Sequence, residues 1–458
     1  HEVTVTLLDA RANEVSETLR FTAPPLPEVA GEFPPIRPTV SEPHRMEPGY
    51  TLFSSHRLDT RRRLAGADPT FPQDFGMLVL LDSAGTPVWY YLGDSRVSDF
   101  EQLANGNLLL ITQDFRLVEI DWLGNTQRTW VAARRPQGPA ADAIGVDALT
   151  FHHDVEELPN GNLMVLGSEI REIDDYYTSE TDPDAPRRRQ RVVGDVILEI
   201  ERDTGSVVWS WHAFDHLDPF RIGYESFSGY WERRGFPNTV DWSHANTLLH
   251  DPTDDSLIVN FRYQSAAIKI DRRTSEILWI FGEPSGWGEL SGLTFRLAAD
   301  ASWPYHQHSP HPTPNGTLLI FDNANFQAHP FAAPTPPRET TSRAVEFLID
   351  RKIMTAGEVW SSQIPGEESV VSLAMGDVDW LSSTGNVLVA YGAIVDRDRV
   401  DDLDWNDTRG VNRWTRLREY TRDTPPKLVW EIVIKDTSET NPLGWTLFAA
   451  ERISMPRP

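Results

Sequence analysis

The sequence predicts an all-β chain: a six-bladed β-propeller preceded by a small, truncated β-sandwich-like N-terminal module. Three observations carry this. An Asp-to-Trp hairpin element recurs six times, a polar turn followed by an apolar strand precedes five of those elements, and the opening stretch follows neither pattern. Self-similarity at repeated intervals marks an array of supersecondary units, each unable to bury its apolar faces alone.

The hairpin element runs from an Asp through a short turn to a Trp. It appears as Asp82-Gly85-Trp89, Asp121-Gly124-Trp130 and Asp203-Gly205-Trp209, and with variation as Asp271-Ser275-Trp279, Asp350-Gly357-Trp360 and Asp423-Trp430. Asp and Gly supply the turn between two strands, and the Trp fills the space between neighbouring sheets. The upstream element appears as Asn105-Gly106-Asn107 before Leu108–Ile111 and Asn160-Gly161-Asn162 before Leu163–Leu166. Asp254-Asp255-Ser256, Asn315-Gly316-Thr317 and Thr384-Gly385-Asn386 occupy the same place. Six hairpins with upstream strands make six four-stranded blades.

The Trp residues are roughly 40 to 80 positions apart, so long insertions separate the strands. The longest expected loops are Ile170–Val192, with its Arg187-Arg188-Arg189 run, and Asp215–Asp241; loops of that length form lids or binding rims. A C-terminal strand around Trp445–Phe448 is expected to pair with an early strand and close the ring, which removes free sheet edges.

Outside the repeat, Val3, Val5 and Leu7 alternate and Ser16–Phe21 forms a second short strand. Residues 1–23 therefore read as the remnant of the sandwich-like module, 24–48 as a Pro-rich linker, and 49–458 as the propeller. The chain opens at His1 without a visible signal peptide, as expected of a truncated or processed N-terminus. The module is a candidate for homo-oligomer contacts.

Composition narrows the function classes. The net charge is −26, and only Lys269, Lys352, Lys427 and Lys435 supplement the arginines. Such a surface repels nucleic acid, whose binding depends on neutralising phosphates. No apolar run approaches the length of a membrane span. Cysteine is absent, which removes disulfides, thiolate metal sites and Cys nucleophiles, and is compatible with a secreted, periplasmic or extracellular location.

Thirteen histidines occur, and three stand at related stations: His153 seven residues before Asn160, His308 seven before Asn315, and His244 ten before Asp254. The innermost strand of each blade runs along the central channel, so matching stations of consecutive blades converge on one axis. His152, His306 and His311 read as supports or rim residues, because they alternate with or lie beyond the inward positions. Arg262 follows an apolar strand at a second inward station; its planar fork suits a sulfate, phosphate or carboxylate, with a salt bridge to Glu169 or Asp322 as the competing role. Hydrogen-bonded core histidines would satisfy the same spacing. The three stations contain no His-x-x-x-His pair and Arg262 repels cations, so no metal and no cofactor are expected.

These residues resemble the aryl-sulfate sulfotransferase family (bacterial arylsulfotransferases). The resemblance spans nearly the whole chain and is strongest at Ser243-His244-Ala245-Asn246, at Asp254 through Gln264, and at Gln307-His308-Ser309 with Gly316 through Asn323. It implies transfer of a sulfuryl group from a phenolic sulfate, or another anionic small molecule, through a sulfated histidine. By position, His244, His308 and His153 are the implied catalytic set, and Arg262, Asn323, Asn246, Tyr263 and Gln327 the implied substrate-binding set. Two departures accompany the match. The family's nucleophilic histidine aligns with Val395, and no histidine follows His329; a sulfuryl-binding arginine of the family aligns with Gln327. His153 or His308 is then left as nucleophile, or transfer is direct. Two other functions fit the same channel: a lyase or hydrolase acting on an anionic saccharide with His244, Tyr263 and Arg262, and a non-catalytic binding or surface-assembly propeller.

Overall fold

The computed structural model describes residues 2–8, 14–20, 25–28, 31–57, 71–72, 74–401, 403–405, 411–436 and 444–454. Six sheets, each built on four antiparallel strands, form the six blades, and the innermost strands of successive blades stand beside one another around a common axis. From blade 2 to blade 6 these inner strands are Val97–Gln102, Val155–Glu157, Ala245–Asp251, His308–Pro312 and Asp377–Trp380. Among the described residues no helix is long and apolar enough to cross a membrane.

Both chain ends close the ring. Ala450–Ile453 pairs antiparallel with Tyr50–Phe53 and becomes the inner strand of blade 1, while Trp445–Thr446 pairs with His56 and Arg57. At the rim of blade 6, Ile36–Ser41 adds a fifth strand to Leu428–Ile434. The Pro-rich stretch therefore contributes a strand to the propeller's outer edge, where the missing N–H of Pro38 is tolerated. Glu2–Leu8 and Glu14–Arg20 form a separate two-stranded sheet.

Each Asp-to-Trp element joins the third and fourth strands of a blade. In the first three blades the indole reaches the turn of the next blade: Trp89 Nε1 donates to Trp122 O at 2.8 Å, Trp130 Nε1 to Arg202 O at 2.9 Å, and Trp209 Nε1 to Arg272 O at 3.1 Å. A second repeated device was not read from the sequence. Buried Glu119, Glu199 and Glu419, on third strands, accept hydrogen bonds from the Asn side chains of the upstream turn. Each also pairs with an arginine of the following blade: Arg202, Arg272 and Arg452. Glu346 pairs with Arg422 in the same way. The polar turn is thus tied to its own blade and to the next one.

One expected loop is ordered differently. Ile170–Val192 belongs mostly to a long β-ribbon, Leu163–Tyr176 against Arg188–Ile200, with its tip at residues 177–187. Opposite charges face across the ribbon, as in the Glu172–Arg189 pair, and Arg187 stacks 4.1 Å from the Tyr177 ring. The other long insertion crosses from blade 3 to blade 4 and pairs Thr239–Asp241 with Arg191–Val193.

An inner strand has one edge without a strand partner, and its N–H groups need acceptors. Carboxylates supply some of them: Asp154 accepts from Leu248 N at 2.6 Å, Glu156 from His250 N at 2.6 Å, Glu101 from Glu157 N at 2.6 Å and Asp377 from Ala450 N at 3.0 Å. Together with Asp99, Asp379 and Glu451 they line a cavity of about 240 Å³, which His308 and His311 also reach. Burial and then mutual repulsion push Glu101 up to about 9; burial is likewise the largest cause raising Glu156 and Glu451 to about 8. These groups stay protonated in the fold at pH values where the unfolded chain has released its protons. The folded state then binds more protons, and stability falls as pH rises from about 4 to about 9. The melting temperature at pH 9 should lie at least about 5 °C below that at pH 5, measured by calorimetry at constant ionic strength.

Candidate functional site

The backbone makes the same left-handed kink just before the inner strands of blades 3 to 6, at His153 (φ 60°), His244 (φ 52°), His306 (φ 53°) and Met375 (φ 61°). Left-handed backbone at a non-Gly residue costs about 1 kcal/mol and persists only where the surroundings enforce it. In blade 5 the kink holds His306, and His308 begins the strand two residues later. A β-bulge between His308 and His311 adds one residue to this stretch, and His306, at the kink, stands nine residues before Asn315 where His308 stands seven.

The His153 and His244 rings are 4.8 Å apart, and Phe448, from the blade 1 segment, lies 5.7 Å from His153 and 6.3 Å from His308. All three are buried, at 8%, 6% and 3% exposure for His153, His244 and His308. Burial is the largest cause depressing each imidazole; Arg262 is the next for His244 and His308, and His244 for His153. The rings are therefore neutral at neutral pH.

Hydrogen bonds fix which nitrogen carries the proton. The amide nitrogen of Asn323 donates to Ser372 O at 3.1 Å and Met375 O at 2.9 Å, so its oxygen must face His308. That oxygen lies 2.7 Å from His308 Nδ1, which donates to it and leaves Nε2 with a free lone pair. His152 Nε2 faces Gly167 O at 3.0 Å and Asp195 Oδ1 at 3.3 Å, both acceptors, so it carries the proton. Its bare Nδ1 accepts from His153 Nδ1 at 2.8 Å, and His153 Nε2 is bare in turn, 3.5 Å from Tyr230 OH. His244 Nδ1 lies 2.6 Å from Asp241 Oδ2. Burial, followed by repulsion from Asp195, raises the Asp241 carboxyl well above its ordinary range. Asp241 then donates to His244 Nδ1, and His244 Nε2–H is a donor. The His308 ring offers a lone pair and the His244 ring offers a proton.

Arg262 sits among these groups at 4% exposure. Neither expected salt-bridge partner reaches it: Glu169 is engaged by Arg171 and His212, and Asp322 accepts from Tyr305 N and Ala324 N. Its partner is Glu225, 2.5 Å from Nη1, in the insertion after blade 3. Tyr263 stacks on His244 at 4.5 Å. Asn246 lines the channel cavity, but its amide donates to Gln307 O at 3.0 Å and accepts from Asn260 at 2.7 Å, so it braces the strand next to His308. Gln327 makes no contact with the histidines among the described residues. Val395 is buried in an apolar cluster with Tyr224, Phe326, Val371, Leu373 and Trp405, whose Phe326 ring lies 5.0 Å from that of His306.

The sequence reading missed Asp195, Asp241, Glu225, Tyr230 and Phe448. Asp241 lies three residues before His244, a local signal open to reading. The others come from distant segments and carry no sequence signal.

The family model described as "Arylsulfotransferase (ASST)" matches residues 39–442. Arylsulfate sulfotransferase AssT of Escherichia coli O6:H1 (strain CFT073) is 26% identical over 251 residues, covering 45% of this chain and 39% of that protein. The AssT of Lelliottia amnigena is 27% identical over 138 residues, covering 26% and 22%. The matched stretches thus span well under half the length of those relatives. Among solved structures, a protein of unknown function from Bacteroides caccae has a TM-score of 0.42 at 11% identity, with 88% of this chain and 99% of that one covered.

Proposed function

The chain belongs to the arylsulfotransferase family, and on that premise we propose that it transfers a sulfuryl group from a phenolic sulfate ester to an acceptor hydroxyl, with His308 as nucleophile. The observation that carries this is the fixed His308 tautomer: Asn323 holds Nδ1–H and leaves a neutral Nε2 lone pair beside Arg262. In the first half-reaction Nε2 attacks sulfur. The bond from sulfur to the ester oxygen breaks, its electron pair leaves with the phenolate, and His244 Nε2–H protonates that oxygen while Asp241 passes its carboxyl proton to His244 Nδ1, so the ring stays neutral. In the second half-reaction the acceptor hydroxyl attacks sulfur, the N–S bond breaks, His244 Nε2 takes the acceptor's proton, and Nδ1 returns its proton to Asp241. Arg262 is a donor for the sulfuryl oxygens, whose charge is shared in the transition state. His153 positions Tyr230, and Phe448 forms a wall for the aryl ring. Val395 needs no part in this scheme, because His308 supplies the nucleophile that the alignment left missing. A location outside the cytoplasm, secreted or periplasmic, suits a chain without cysteine.

A saccharide lyase or hydrolase is less well supported, because the cavity lined by Asp99, Asp154, Asp377, Asp379, Glu101, Glu156 and Glu451 offers a uronic-acid polymer no Lys or Arg side chain among the described residues. A purely binding role leaves the tautomer-setting contacts without a purpose. The direct test is release of nitrophenol from p-nitrophenyl sulfate with and without a phenol acceptor. Acceptor-dependent release is expected; none at micromolar enzyme would remove the proposal.

A further inference from the structure

The insertion that crosses from blade 3 to blade 4 places an anion of the protein itself in the seat that a substrate anion would take. Glu225 Oε2 lies 2.5 Å from Arg262 Nη1 and 3.4 Å from His306 Nδ1. Of the remaining guanidinium donors, Nη2 reaches Leu373 O at 3.2 Å, and Nε is buried without a hydrogen-bond partner. An arginine this buried needs compensation, and an unused Nε–H points to a second acceptor that is not part of the chain.

The segment carrying Glu225 is held under constraint. Glu225 has a left-handed φ of 67°, unusual for a side chain with a Cβ. Two residues earlier, a Cβ at Gly223 would fall 1.7 Å from Tyr263 O, so only glycine permits the approach. Glu225 N donates to Glu180 Oε1 at 3.0 Å, which ties the segment to the tip of the blade 3 ribbon. Tyr224 stacks on Phe326 at 4.6 Å and donates to Ala332 O, which ties it to blade 5. Both long insertions seen in the sequence thus meet at Glu225.

We propose that Glu225 is an internal competitor for the anion seat of Arg262 and sets its specificity: only an anion that binds Arg262 more favourably than this carboxylate displaces it. This rests on Arg262 being the sulfuryl seat. Tetrahedral oxyanions, with more acceptor oxygens to offer Nε and Nη1 together, are favoured over simple carboxylates or chloride. The competition weakens ground-state binding without touching the reacting atoms, so Glu225 is a specificity residue and not a catalytic one.

The test is sulfate binding by titration calorimetry, with sodium sulfate replacing chloride at fixed ionic strength. Glu225→Gln removes the charge and keeps the shape, and should bind sulfate at least about tenfold tighter than the parent chain. Glu225→Asp draws the carboxylate back by one methylene and should shift affinity in the same direction by less; it serves if the Gln variant does not fold. In p-nitrophenyl sulfate assays, KM should fall in both while kcat does not rise. Equal or weaker sulfate binding in both variants overturns the proposal. Arg262→Gln separates the two readings: if it binds sulfate as the parent does, Arg262 is not the seat and the sulfuryl-transfer site itself is misplaced. If it loses sulfate while the Glu225 variants show no gain, only the competitor role falls.

Discussion

His308→Ala should lower sulfuryl transfer by roughly a thousandfold or more, because no other group then offers a lone pair held in place beside Arg262. Asn323 anchors the ring through Nδ1, and its own amide is anchored by two carbonyls, so the nucleophile is pre-oriented before substrate arrives. Mixing the parent chain with a radiolabelled aryl sulfate and no acceptor should leave label on the protein, and the variant should leave none. Retained labelling in His308→Ala with loss in His153→Ala would move the nucleophile to blade 3, where His152 and Asp195 prepare a bare Nε2 in a similar manner. The imidazole is buried, so the variant's melting curve must be compared with the parent's to separate lost chemistry from lost fold.

Asp241→Asn should cost about a hundredfold in kcat with phenyl sulfate. Asp241 is the buried carboxyl that meets His244 Nδ1 at 2.6 Å, and it decides whether His244 Nε2 carries a proton. An Asn amide can donate to the same nitrogen, but it cannot take up and return a proton as the leaving oxygen is protonated and the acceptor is deprotonated. The defect should therefore depend on the leaving group. With a nitrophenyl ester, whose phenolate needs little help, the loss should shrink to less than about tenfold. A loss of equal size with both donors would mean that Asp241 holds structure and does not assist the leaving group.

Much of the fold was legible because a propeller repeats its local chemistry. An Asp/Gly turn followed by Trp marks the outer hairpin wherever it occurs, and the six such elements belong to the six sheets. The interlocking of those blades was harder to see. Glu119, Glu199 and Glu419 each stand two positions before an Asp, Glu or Thr of the turn, a pattern present in the sequence but without meaning until the arginine of the next blade is placed against it. The β-ribbon at 163–200 was misjudged for a related reason. Its charged residues look like a solvated loop until Glu172 and Arg189 face each other across two strands.

Histidines at related stations of consecutive blades were legible in the sequence alone, as an expectation that they share an axis. Composition likewise set the acidic, cysteine-free character of the chain. Tertiary structure decided what those histidines can do. Proton placement on His308, His153 and His244 depends on Asn323, His152 with Asp195, and Asp241, and the state of Arg262 depends on Glu225. Apart from His152 and Asp241, these partners come from segments remote in sequence. A tautomer or an ion pair is set by which atom lies within about 3 Å, and strand register, a β-bulge and the course of an insertion fix that distance, where residue spacing does not.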